Sequence, residues 1–264
     1  MVVRNPFEAH SVSNLSPHSI NKFADNPAKW LTNVAGYRDN LFAVPFTFGL
    51  AIEAGITAAC REGKPLDESI AAAMDVYTET YKEIKEANAN YDFVACNKRQ
   101  ALVDPILTNI IPDYLTLGHA IAAQRWVEYQ PDYLPIPIKG IIDFEYDSVV
   151  RDLKTTGVKP KSNPSYHRQL AFYALATDKV PKIDYIYWTR KQSQLITMDV
   201  PDIDGQIQDI ERICLKMMKL LSISDDIRDV CEASCFEPDL SNANWWNRWG
   251  SNEIKGAKKL FNMR

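Results

Sequence analysis

The 264-residue sequence predicts an α/β (α+β) chain, a helical N-terminal part followed by a core of five strands and helices. Three observations predict it. Apolar residues recur at helical spacing through the N-terminal part, as in Ile70, Met74, Tyr77, Tyr81 and Ile84. From Arg125 the pattern changes to short apolar runs bounded by polar turns. The runs then come as three strands, a helix, two strands and a helix. The expected organisation is one domain over 1–264, with a helical part at 1–124, an αβ core at 125–222 and a tail at 223–264.

The elements follow in order. Residues 1–18 read as irregular, and a short helix begins at Pro17, with Ser19 as its N-cap. A second short helix includes Pro27–Trp30. Residues 47–61 form a helix rich in small residues, whose Gly49 and Gly55 point to close approach of a neighbouring backbone. Asp67 caps a helix over 68–88, and a further helical region spans 98–122, interrupted near Pro112. The strands are Arg125–Gln130, Ile136–Asp147, Ser148–Leu153, Ile183–Thr189 and Gln194–Met198. Helices lie at 164–177, with Pro164 in the first turn, and at 203–222.

Composition sets limits. Hydrophobic content of 46% and 24% charge are ordinary for a globular chain. No apolar run approaches the roughly 20 residues of a membrane span, and the start lacks a secretory layout. A cytoplasmic protein without membrane partners is expected. The five cysteines argue against a disulfide framework and read as buried thiols. The net charge of −4 hides a polarity, because residues 151–191 hold nine Lys/Arg against three acids. That stretch reads either as a localised anion-facing surface or as solvated loop and strand ends.

Acid-any-lysine occurs four times, at Glu62, Glu83, Asp152 and Glu253. Only Asp152-Leu-Lys154 follows an apolar strand, Val149-Val150, and trails another that ends in an acid, Ile141-Ile142-Asp143. In a strand, residues 152 and 154 point the same way, so carboxylate and ammonium approach one place. Asp143 and Asp152 with the Leu153 carbonyl suit a hard divalent cation, and Lys154 suits charge neutralisation beside a phosphate. A surface salt bridge between Asp152 and Lys154 is the competing reading. Gln169 and Tyr173, four residues apart, share a helix face that can border this place. Tyr166, His167 and Arg168 at that helix start are candidates for a phosphate.

These motifs, Gly140-Ile-Ile-Asp143, Asp152-Leu-Lys154-Thr-Thr and Gln169-x3-Tyr173, resemble in order and spacing the PD-(D/E)XK nuclease superfamily, in its RecB-like and CRISPR-associated exonuclease branch. Ser19-Ile-Asn-Lys-Phe23 through Pro27 resembles that branch's N-terminal signature, and Gly49-x3-Glu53 its helical metal motif, with Glu53 in place of histidine. The resemblance implies a restriction-endonuclease-like core, with a central mixed five-stranded sheet flanked by helices. It implies Mg²⁺ or Mn²⁺ held by Glu53, Asp143, Asp152 and the Leu153 carbonyl. Lys154, Asp152, Asp143, Gln169 and Tyr173 are then catalytic. DNA contacts are expected from Ser19, Lys159, Lys161, Tyr166, His167, Arg168, Arg190 and Lys191.

Degradation of single- or double-stranded DNA from an end, 5′ to 3′, in recombination or repair is implied, with phage recombination nucleases as relatives. A homo-oligomer, a single-strand annealing partner and, for a phage protein, a host cytoplasmic location go with it. An endonuclease on the same core and a DNA-binding module without chemistry are the alternatives. Asn26 stands where iron–sulfur members carry a cysteine, and Cys231 and Cys235 offer two thiols only, so no cluster is expected. Glu128 matches an acid often found on the preceding strand. Trp245, Trp246 and Trp249 are suited either to stacking on unpaired bases or to sealing the tail.

Overall fold

The computed structural model describes residues 5–38, 44–87, 93–189, 191–234 and 249–261. Helices α1 (Pro6–Ala9), α2 (Pro17–Asp25), α3 (Pro27–Val34), α4 (Val44–Cys60), α5 (Leu66–Ala87), α6 (Phe93–Gln100) and α7 (Val103–Leu115) precede the sheet. The strands are β1 (Ala122–Tyr129), β2 (Ile138–Glu145), β3 (Val149–Thr156), β4 (Val180–Trp188) and β5 (Ser193–Asp199). Helix α8 (Pro164–Thr177) connects β3 to β4, and α9 (Ile203–Leu221), α10 (Ile227–Ala233) and α11 (Ser251–Leu260) follow.

The sheet runs in the order β1-β2-β3-β4-β5. The first three strands form an antiparallel meander, β3 and β4 are parallel, and β5 returns antiparallel to β4. A parallel neighbour cannot be reached by a hairpin, which is why α8 must cross over between β3 and β4. The result is the mixed five-stranded sheet flanked by helices that the resemblance implied.

Two apolar clusters hold the layers together. In one, Leu170 and Phe172 of α8 meet Ile142, Val150 and Ile183, along with Ile210 and Met217 of α9 and Ile20 and Phe23 of α2. In the other, Phe48, Ile52 and Ile56 of α4 join Leu107 and Tyr114 of α7 and Phe144, Leu153 and Ile186 of the sheet. Gly140 is needed where it is, because a Cβ there would lie 2.9 Å from ring atoms of both Phe172 and Tyr173. Gly55 does the same for α4, where a Cβ would lie 2.5 Å from a Leu107 methyl.

Helix α8 has the predicted bounds, with the Asn163 side chain accepting from the Ser165 N–H as its cap. Several boundaries differ from expectation. The cap of α2 is Ser16, and the Ser19 hydroxyl instead accepts from Trp30 Nε1 at 2.9 Å. The helical region expected over 98–122 is two helices, and it ends at Leu115. Pro112 lies inside α7 without breaking it, since Ile110, Ile111 and Tyr114 are all buried and packing outweighs propensity. Residues 180–182 extend β4 beyond its expected start at Ile183, by pairing with Val149–Arg151. Among the described residues, no helix is long and apolar enough to cross a membrane.

Candidate active site

A tight turn joins β2 to β3, closed by the Tyr146 N–H on the Val149 carbonyl at 2.8 Å. The β2–β3 ladder pairs Glu145 with Val150 and Phe144 with Arg151, and goes no further. Past that point the Leu153 N–H donates to Asp143 Oδ2 at 2.7 Å, so a side chain takes the place of a ladder carbonyl. The two strands part here, and Asp143 enters the parting.

On β3, Lys154 Nζ lies 2.5 Å from Asp152 Oδ2, as their shared side of the strand requires. Asp152 is 1% exposed. Its Oδ1 accepts from Gln169 Nε2 at 3.0 Å. Its Oδ2 has the ion pair but no hydrogen-bond donor in line. Gln169 also donates to the Tyr173 hydroxyl at 2.9 Å, which in turn donates to the Ile141 carbonyl at 2.5 Å. Both amide hydrogens of Gln169 are thus used, and α8 is tied to both parted strands.

Helix α4 brings Glu53 to the same place. Gln124 Nε2, on β1, donates to Glu53 Oε1 and reaches Asp143 Oδ1 at 3.3 Å. Burial, then Asp143 and Asp152, push the Glu53 carboxyl up to about 8. Burial, then Asp152, push Asp143 up to about 7. Burial works against the charge on Lys154, but Asp152 and Asp143 outweigh it and hold the ammonium above its ordinary range. Lys154 is therefore a fixed cation and donor rather than a proton acceptor. Its Nζ also lies 5.1 Å from the centre of the Tyr166 ring.

The donor set fits a divalent cation in kind. Three carboxylates and a neighbouring main-chain carbonyl are hard oxygens, and a double positive charge relieves the repulsion that raises Glu53 and Asp143. The acids do not form a finished cage, since no three Asp, Glu, His or Cys side chains among the described residues are grouped to hold an ion. The Gln124 amide stands between Glu53 and Asp143. Sequence reasoning missed Gln124, which belongs to none of the motifs; its position opposite Asp143 emerges only from the strand register.

The expected DNA contacts divide. Lys159 and Lys161, in the loop from β3 to α8, and Lys191, in the turn before β5, are exposed. Tyr166 borders the site through Lys154. Arg168 is held by Asn21 Oδ1 at 2.8 Å. His167 is turned inward at 5% exposure, which corrects its expected place on a phosphate-facing surface. The Ser19 hydroxyl is engaged by Trp30. Arg190 lies outside the described residues, as do Trp245, Trp246 and Cys235. Trp249 is buried, with Lys29 Nζ 5.5 Å from its ring centre, in keeping with a sealing role. Cys60, Cys96, Cys214 and Cys231 are buried thiols. Glu128 pairs with Lys139 at 2.9 Å, away from the acids.

The basic stretch is also corrected in part. Arg151 is paired with Asp184 at 2.9 Å, Lys179 with Glu145 at 2.8 Å and Lys182 with Asp199. Much of its charge serves to hold strands together, and among the described residues Lys159, Lys161 and Lys191 are its exposed cations. A cavity of about 980 Å³ between α2, α8 and α9 includes Arg168 in its lining but none of the three acids.

The sequence profile of the PD-(D/E)XK nuclease superfamily matches residues 14–234, which include Glu53, Asp143, Asp152, Lys154, Gln169 and Tyr173. The chain belongs to that superfamily. Its members are nucleases that generally use divalent metals. No curated protein matches the sequence. The crystal structure of a Eubacterium rectale protein named "Putative exonuclease" is similar in fold, with a TM-score of 0.52 at 13% identity, over 89% of this chain and 91% of that one. A second solved structure, SSO0001, has a TM-score of 0.30 at 14% identity, over 79% of this chain and 91% of that one.

Proposed function

We propose that this nuclease is an Mg²⁺- or Mn²⁺-dependent deoxyribonuclease that shortens DNA from its ends. The observation that carries the reading is the meeting of Asp143, Asp152 and Lys154 where β2 and β3 part, with Gln169 holding Asp152 in place. Glu53, Asp143, Asp152 and the Leu153 carbonyl are the groups that would hold the cation. When bound, that ion polarises the phosphate and activates water for attack.

The chain's own residues do the rest. The buried carboxylate of Asp152 is fixed in one orientation by Gln169, and Tyr173 locks Gln169 by donating to Ile141. Lys154 stays protonated, so it can hold a water by donation and offset negative charge developing on the phosphate. Exposed Lys159 and Lys161, a few residues past Lys154 on the same connection, are suited to the phosphates of the strand that enters. The reading requires no iron–sulfur cluster.

Action from an end, with 5′ to 3′ polarity and a place in recombination or repair, rests on likeness to the RecB-like branch. One experiment separates it from an endonuclease and from a binding module. Linear single- and double-stranded DNA, labelled separately at each terminus, and covalently closed circles are incubated with Mg²⁺ or Mn²⁺. Loss of 5′ label first, with circles untouched, is expected. Nicked or linearised circles would establish an endonuclease, and binding without any cleavage would establish a module that has lost its chemistry.

A further inference from the structure

Gln124 adopts φ +49° within β1. The β1–β2 register is unbroken, with Ala123 opposite Phe144 and Arg125 opposite Ile142, yet Gln124 and Asp143 between them do not pair. Residues with a long side chain rarely take the left-handed conformation, because Cβ then crowds the following carbonyl. Strain of this kind persists where surrounding structure enforces it and gathers at functional positions. Its result here is direction, because the amide is delivered between Glu53 and Asp143.

The choice of side chain is informative. Lysine or arginine at this point would place a permanent charge among the carboxylates. Alanine or glycine would leave them to repel each other. A carboxamide can do two things from one place, since half a turn about its last bond exchanges two N–H donors for a carbonyl oxygen. With Nε2 inward it gathers two acids, and with Oε1 inward it offers the kind of oxygen that Mg²⁺ and Mn²⁺ take. Asp152, 1% exposed and already paired through Oδ2 with Lys154 at 2.5 Å, shows that the cluster is arranged around positive charge.

We infer that Gln124 belongs to the cation site, holding Glu53 and Asp143 together through its N–H groups before the ion arrives and coordinating the ion through Oε1 afterwards. This rests on the nuclease reading above and adds a ligand to it. The test is calorimetric titration of Mn²⁺, without DNA, into metal-free wild type, Gln124→Asn and Gln124→Ala. Asparagine tolerates positive φ but is one methylene shorter, so the strand conformation is kept while the reach is lost. Gln124→Gly, which adopts positive φ freely, serves if the asparagine variant fails to fold.

The expected result is Mn²⁺ binding roughly tenfold weaker in each variant, the usual scale for groups that support a metal site. Unchanged or tighter Mn²⁺ binding in the folded variants overturns the role of Gln124 and leaves the nuclease reading standing. A wild type that binds no Mn²⁺ overturns both.

Discussion

Gln169 donates one amide hydrogen to Asp152 Oδ1 at 3.0 Å and the other to the Tyr173 hydroxyl at 2.9 Å, so a helix residue fixes a carboxylate buried in the sheet. Gln169→Ala removes that restraint without touching the cluster's charge. The expected outcome is a fall in kcat of about 10- to 100-fold, the range seen when a partner of a metal-binding carboxylate is lost. KM and the melting temperature should change little. A variant that turns over DNA at the wild-type rate would show that Asp152 needs no such hold.

Lys154 is held as an ammonium by Asp152 and Asp143 despite its burial. Lys154→Ala should leave DNA binding nearly intact and reduce cleavage by roughly 10²- to 10³-fold, the scale of losing one donor aimed at developing charge. Single-turnover rates measured beside binding isotherms separate the two effects. Cleavage close to wild type in a folded Lys154→Ala protein would remove the lysine from the chemistry.

Gly140 lies beneath α8, with Phe172 and Tyr173 ring atoms 2.9 Å from where a Cβ would stand. Gly140→Ala must push these rings and the helix outward, at a cost of about 1–3 kcal/mol. Because α8 carries Gln169 and Tyr173, activity should drop along with stability. Urea unfolding with unchanged midpoint would mean the rings give way freely.

Much of this arrangement was legible in the sequence, and the reasons are local. The strand–turn–strand of Ile141 to Lys154 announces itself through apolar runs that end in acids, and α8 through its Asn163-Pro164 start. Glu53 came to notice through the likeness of Gly49-x3-Glu53 to the helical metal motif of the resembled family. What stayed hidden depends on partners distant in sequence. Asp184 read as one acid among many cations, yet it is fully buried, accepting from Tyr114, Arg151 and Thr197. Gln124 carries no motif, and its importance comes from a backbone angle that no periodicity reveals. The inward turn of His167 depends on which face of α8 is packed, the face that also buries Leu170 and Ala171, and composition does not encode that.

The Asp184 cluster gives a test of stability independent of Glu53, Asp143 and Asp152. Asp184→Ala leaves Arg151, at 11% side-chain exposure, without the carboxylate that it meets at 2.9 Å. Breaking a buried pair from one side costs about 3–5 kcal/mol. Replacing Asp184 together with Arg151 by apolar residues should recover much of that loss. Equal destabilisation in the single and double variants would place the cost in the Tyr114 and Thr197 hydrogen bonds instead.

The same distinction between paired and unpaired acids fixes the response to pH. Glu53 and Asp143 hold protons in the folded chain up to about 8 and about 7, against ordinary values of 4.5 and 3.8. Between those limits the folded state binds more protons than the unfolded state, so stability falls as pH rises. Glu145 and Glu253 act in the opposite sense. Burial raises each, but Lys179 and Arg125 outweigh it at Glu145, while Asn33, the Gly250 N–H and Lys29 outweigh it at Glu253. Both carboxyls are held below the ordinary range, so their contribution is complete above about pH 5 and is lost only on further acidification. His18 and His167, held below 6.5 chiefly by burial, also act in the opposite sense up to that value, so melting of the metal-free protein should decline from about pH 6.5 to about pH 8. Mn²⁺, which binds the ionised acids of the folded state alone, should reverse that decline, raising the melting temperature more at the alkaline end. A metal-free melting temperature that rises over this range would mean that Glu53 and Asp143 do not burden one another, and the shared cation site would lose its electrostatic basis.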